Sequence, residues 1–178
     1  QVVILLLAVT ISLRTLWKMP RSSVWMLGWV TLALMGSFYC LMEETSWGQQ
    51  FFRWDTPELW SRVNDQNETN LHNTSDWLDQ KPRLLMIIGI YAGGILMPLI
   101  DRFKPNILPL RFSSIYPARQ MSVVAIICLI IKIMDIVGDA TNWHILGRAA
   151  ETEELFLFYF VAIYMADLRC RLIVSKTP

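Results

Sequence analysis

Residues 24–49 read VWMLGWVTLALMGSFYCLMEETSWGQ, an apolar run without a single charge that stops abruptly at Glu43. Its length matches the about 20 helical residues that cross a hydrocarbon core, so lipid is the solvent this segment is built for. Glu43 and Glu44 stand side by side at its mouth. Adjacent carboxylates there are costly unless paired, hydrated or used, which makes this the first place to look for chemistry. A second polar block, Asn67-Glu68-Thr69-Asn70-Leu71-His72-Asn73, follows soon after.

The rest of the chain agrees with a membrane reading. It is 54% hydrophobic and 17% charged, with mean hydropathy +0.38, against roughly 45–50% apolar content in an ordinary soluble domain. The apolar residues lie in blocks, not at amphipathic spacing. The net charge of +1 carries no message, and no basic stripe suggests nucleic acid. Cys40, Cys128 and Cys170 stand singly, without metal-ligand or disulfide spacing, and read as small buried hydrophobes.

Five apolar segments can be placed. Gln1 to Leu13 is short for a span and is expected to be the remainder of a longer helix, the chain reading as truncated at its N-terminus; a cleaved leader lacks a basic region before the run and a small-residue site after it. Val24 to Met42 is the second span. Leu84 to Ile100 is the third and carries Gly89-Ile90-Tyr91-Ala92-Gly93, a GxxxG pattern that lets another helix approach closely. Met121 to Gly138 is the fourth. In the fifth only Leu155 to Ala166 is free of charge, so its flanking acids belong at the boundary. The expected fold is all-α: a single transmembrane bundle over residues 1–178, with about five transmembrane helices.

Charge orients the spans. Arg14, Lys18 and Arg21 fill the first linker, Arg102, Lys104, Arg111 and Arg119 the third, and Arg169, Arg171 and Lys176 the tail. By the positive-inside rule these regions and the C-terminus face the cytoplasm. Residues 43–83 and 139–154 are acidic and fall on the other side. Within the long outer segment Trp47, Phe51, Phe52, Trp54 and Trp60 suit a headgroup boundary. Asp55-Thr56-Pro57-Glu58 reads as a helix start, predicting an interfacial helix near Pro57 to Val63. Asn67-Glu68-Thr69 and Asn73-Thr74-Ser75 fit the N-glycosylation pattern, meaningful only in a eukaryotic secretory pathway.

Polar residues of several segments gather at the outer level: Glu43, Glu44, Glu68 and His72, then Lys132, Asp135 and Asp139 on one helical face, then His144, Glu151, Glu153 and Glu154. Facing inward they make an acidic pocket with Lys132 as counter-charge; facing outward, Lys132 pairs with Asp135 and snorkels while the glutamates are hydrated. Glu43 or Glu44 with His72, Asp135 and Glu154 has the donor chemistry of a zinc, iron or manganese site, yet HExxH, HxxxH and cysteine pairs are lacking and no metal is expected. Ser46 has no G-x-S-x-G elbow and reads as well as a helix-end hydrogen-bonding residue. Neither histidine lies inside a predicted span, which disfavours haem or pigment ligation, and no cofactor is named.

Glu43-Glu44-Thr45-Ser46-Trp47-Gly48-Gln49, Thr56-Pro57-Glu58 and Glu68-Thr69-Asn70-Leu71-His72-Asn73, with Glu153-Glu154 opening the last span, resemble an uncharacterised family of bacterial polytopic membrane proteins. Its members read E-E-x-S-W-G-Q, then T-P-E, then E-T-N-L-H-N. The resemblance implies a bacterial inner-membrane location and incidental glycosylation patterns, and leaves activity open. Two functions follow as expectations. The favoured one is a non-enzymatic subunit whose Gly89/Gly93 face and boundary aromatics pack against other membrane subunits within the lipid bilayer. The alternative is a membrane-embedded enzyme or carrier with an acidic and histidine site at the outer mouth, acting on a lipid or small solute.

Overall fold

The computed structural model of the chain describes residues 1–19, 24–64, 68–71, 74, 76–143 and 146–174. His72, His144, Asn67 and Asn73, singled out above, lie outside them. All regular structure among the described residues is helical. Helix α1 runs Val2–Lys18 and α2 Val24–Glu44. Two short helices follow, α3 (Gln49–Phe52) and α4 (Glu58–Ser61). Helix α5 (Asp76–Tyr91) continues through a π-helical segment, Ala92–Leu96, into α6 (Met97–Phe103). Helix α7 covers Ser122–Thr141 and α8 Ala149–Val174.

Among the described residues three helical stretches are long and apolar enough to cross a membrane: Val24–Glu44, Lys81–Phe103 and Arg119–Thr141. They contain the expected second, third and fourth spans. The expected first and fifth are also helices, α1 and α8, but α1 has 17 residues, and α8 carries acids at its start and arginines at its end.

Helix α8 is the spine of the bundle. It packs against α1 and α7, touches α2 and α5, and buries Leu157, Phe160, Met165 and Leu168 against Val30, Ile90, Ala125 and Cys128. Small residues sit at the crossings, where they let two helices approach closely. A Cβ on Gly94 would stand 2.5 Å from Ala125 Cβ and 3.0 Å from the Phe160 ring, and one on Gly93 would stand 3.0 Å from Pro117. Within the chain the close approach is at Gly93 and Gly94, while Gly89 is exposed and its Cβ position meets nothing within 4 Å.

Hydrogen bonds tie the helix ends into two groups. Tyr164 on α8 accepts from Trp29 Nε1 at 2.6 Å and donates to the Ile115 carbonyl at 2.6 Å. Arg171 reaches the Ser114 carbonyl at 3.1 Å, and the Trp25 and Phe112 rings meet edge to face at 4.7 Å. These contacts fold the basic linker under the ends of α2 and α8. The start of α1, the end of α2, the start of α8 and the middle of α5 and of α7 gather towards the opposite, acidic end.

Two smaller expectations change. The helix expected near Pro57 to Val63 is the single turn α4, with Pro57 at its cap and no side-chain cap bond; Thr56 instead accepts from Gln49 Nε2 at 2.8 Å. Cys128 is buried, but Cys40 is only half-buried and Cys170 is exposed.

Candidate functional site

The acidic end has two layers. The upper one joins the two polar motifs. Helix α2 ends in a short left-handed turn, with φ of 48° at Ser46, 54° at Trp47 and 98° at Gly48. Left-handed backbone costs a non-glycine residue roughly 1–2 kcal/mol, so the turn must be held by other bonds. It is. Trp47 Nε1 donates to Glu43 Oε1 at 2.7 Å, and the Leu71 backbone N–H donates to Glu43 Oε2 at 2.8 Å. Ser46 Oγ donates to Glu68 Oε2 at 2.7 Å, which also accepts from Asn70 Nδ2 at 2.6 Å. Thr69 donates its backbone N–H to Gln49 Oε1 at 2.7 Å and its hydroxyl to the Ser46 carbonyl at 2.9 Å. Asn64, also buried, donates to Asn70 Oδ1 at 2.8 Å.

This layer is a latch. Ser46, Asn64 and Asn70 are buried and hydrogen-bonded, the state that buried polar groups require. Ser46 Oγ is engaged by a carboxylate and two amides and has no described histidine beside it. A hydrogen-bonding role fits that geometry.

The lower layer is a cluster of charges between helices. Glu153, in the first turns of α8, is completely buried. Its Oε2 lies 2.9 Å from Arg83 Nη2 on α5 and 3.5 Å from Lys132 Nζ on α7. Lys132 also contacts Asp135 at 3.3 Å, and Arg83 contacts Glu154 at 3.3 Å. Gln1 Nε2 donates to Glu154 at 3.2 Å, so α1 joins the same layer. Burying a carboxylate away from water costs several kcal/mol unless charges and hydrogen bonds compensate. Two cations supply that for Oε2. The other oxygen, Oε1, is buried with no hydrogen-bond partner among the described residues, as is Tyr91 Oη. Arg83 and Glu153 both lie within electrostatic reach of Tyr91.

The expected polar cluster is thus two clusters. Glu43 and Glu68 belong to the latch, while Lys132, Asp135, Glu153 and Glu154 belong to the charge layer. Glu44 shares the surroundings of Cys40 with Glu43 and Glu154, at the seam between them. Asp139 is exposed and makes no ion pair with a described residue. Among the described residues no group of three or more histidine, cysteine, aspartate or glutamate side chains is placed to hold a metal.

Sequence reasoning missed three participants. Arg83 is the chief counter-ion of Glu153, and its place one residue before the third apolar run is its signal in the sequence. Tyr91 lies inside the GxxxG pattern, where nothing sets its hydroxyl apart. Asn70, the hub of the latch, carries no signal beyond its place in the second motif. No family model, curated protein or solved structure matches the chain.

Proposed function

We propose that this is a five-span integral membrane protein that handles a lipid or small solute at its extracytoplasmic mouth, with the Glu153 cluster as the binding site. The spans are α1, α2, the α5–α6 rod, α7 and α8. The basic linkers and the C-terminus face the cytoplasm, and residues 43–83 face outward, as the segregation of charge requires. The resemblance of the two motifs adds a bacterial inner membrane as the setting. One observation supports the binding role above the others: Glu153 is fully buried between helices, and one of its oxygens has no hydrogen-bond partner among the described residues. Intramembrane carboxylates are expensive to keep, and their usual roles are binding and transfer.

The test is native mass spectrometry of the protein released from gentle detergent. The wild-type chain is expected to retain a bound mass that Glu153→Gln loses at unchanged helicity. Identical spectra for the two proteins would reject the site.

A second reading, a non-enzymatic subunit of a larger membrane assembly, is favoured by the open faces of Gly28, Gly36 and Gly89, where an added Cβ meets nothing within 4 Å. It is supported if the chain purifies with stoichiometric partner chains that Gly28→Leu or Gly89→Leu releases.

A further inference from the structure

Beyond the end of α2 the latch holds up an aromatic surface that stands open. Phe51 and Phe52 are 68% and 79% exposed, and Trp47 and Trp54 are 41% and 40% exposed. The backbone beneath them is nonetheless fixed. Left-handed angles at Ser46, Trp47, Gly48 and Arg53 turn it tightly on either side of α3. Gln49 ties the two sides together, donating to the Trp54 carbonyl at 3.3 Å and to Thr56 Oγ1 at 2.8 Å. The Phe52 and Trp54 rings stack at 5.9 Å, 10° from parallel. Both lie over Gly48, whose Cβ position is 3.3 Å from Trp54 and 3.4 Å from Phe52. A side chain there would press on both rings, so glycine serves this platform as well as its own φ of 98°.

Exposed apolar area this concentrated marks a contact site, and three observations select a phospholipid boundary as its partner. The first is continuity. Helix α2 is long and apolar enough to cross a membrane, and Leu32, Met35 and Phe38 are exposed along it. Trp47 comes three positions after its last residue, where a span would leave hydrocarbon for headgroups. The second is composition, because amphipathic aromatic rings are the side chains that concentrate at that level. The third is charge. Arg53 is the one charged residue from Thr45 to Trp54; it is exposed and makes no ion pair with a described residue. A guanidinium so placed matches phosphate oxygens. Asp55 is exposed as well, so the pair suits a zwitterionic headgroup as readily as an anionic one.

We propose that residues 47–54 form a rigid aromatic foot standing in the phospholipid leaflet at the acidic end, with Phe51 and Phe52 among the upper acyl carbons and Arg53 on the phosphates. The foot rests on the reading of α2 as a span and is independent of the Glu153 site. Glu43, Ser46 and Gln49 bond this segment to residues 68–71, so the lipid surface sets the height of the latch.

The test is photocrosslinking in nanodiscs of phosphatidylcholine and phosphatidylglycerol, with adducts weighed by intact mass spectrometry. One protein carries Phe52→benzoylphenylalanine, or the same change at Phe51 if the first does not fold. A second carries it at Met35, nine residues before Glu44 and so about 14 Å along the helix, as the reference inside the span. The lipid adduct at Phe52 is expected to reach at least a third of the yield at Met35. A lower yield at Phe52, with lipid still captured at Met35, overturns the foot and leaves α2 as a span. A doubled chain mass at Phe52 overturns it in favour of contact between two copies. Lipid at neither position overturns the foot together with the span beneath it. Adding Glu153→Gln should leave both yields unchanged, and a fall at Phe52 would overturn the independence of foot and cluster.

Discussion

Arg83 Nη2 on α5 and Glu153 Oε2 on α8 stand 2.9 Å apart, with the guanidinium partly exposed and the carboxylate wholly buried. The two partners are therefore not equivalent. Removing the arginine strands a carboxylate that cannot reach water, whereas removing the glutamate leaves cations that can turn toward solvent, Asp135 or Glu154.

That asymmetry gives the first prediction. Arg83→Met should destabilise the protein by about 3 kcal/mol, the low end for breaking a buried pair because Lys132 remains, while Glu153→Met should stay within about 1 kcal/mol of wild type. The double variant should recover most of the loss of the first. Unfolding in mixed micelles, followed by circular dichroism, measures all three; equal losses for the two single changes would contradict the burial seen here.

The latch makes a second. Trp47→Phe deletes the indole N–H held by Glu43 and should cost about 1–2 kcal/mol, since the bond is charge-assisted but the ring is half exposed. Glu43→Ala also frees the Leu71 amide, so limited proteolysis should cut residues 64–71 several-fold faster than in wild type. Cleavage at the wild-type rate would show that the loop is held without Glu43.

A third concerns glycine. Gly94→Ala forces a methyl to within 2.5 Å of the Ala125 side chain and should lower the melting temperature by several degrees. Gly89→Ala meets open space and should be neutral or slightly stabilising, because alanine favours helix. A reversed order would mean that α5 and α7 cross elsewhere.

The fourth is topological. In a variant with Cys40, Cys128 and Cys170 replaced, a cysteine at Glu58 should react with an impermeant maleimide in intact cells, and one at Asn106 only after permeabilisation. Equal labelling of both positions would defeat the proposed orientation.

Much of the architecture could be read from hydropathy, because a span needs length and apolarity and little else. Val24 to Met42 and Met121 to Gly138 became α2 and α7 with ends shifted by no more than three residues. The third run lies within a longer helix: α5 starts at Asp76, well before Leu84, and includes Arg83 with its counter-charge on α8. Which polar residues meet was less legible. Glu43, Glu68, Lys132 and Glu153 share a level, but whether they form one site or two depends on the direction each helix turns. The left-handed backbone at Ser46 and Trp47 carries no residue signature, since only Gly48 beside them favours such angles. Gly94 lay one position outside the GxxxG pattern, and helix crossing, not spacing, selected it.

The π-helical segment has a geometric effect on the apolar face of the α5–α6 rod. Ile87, Tyr91, Ile95 and Leu99 recur every four residues, and around an undisturbed α-helix such a series precesses by about 40° at each step. By the third step it would have wandered off the side facing α7. The wider winding through Ala92–Leu96 reverses part of that drift midway, like a vernier set between two scales. One rod thus keeps a single apolar stripe in line over about three turns while its upper end still presents Arg83 to α8.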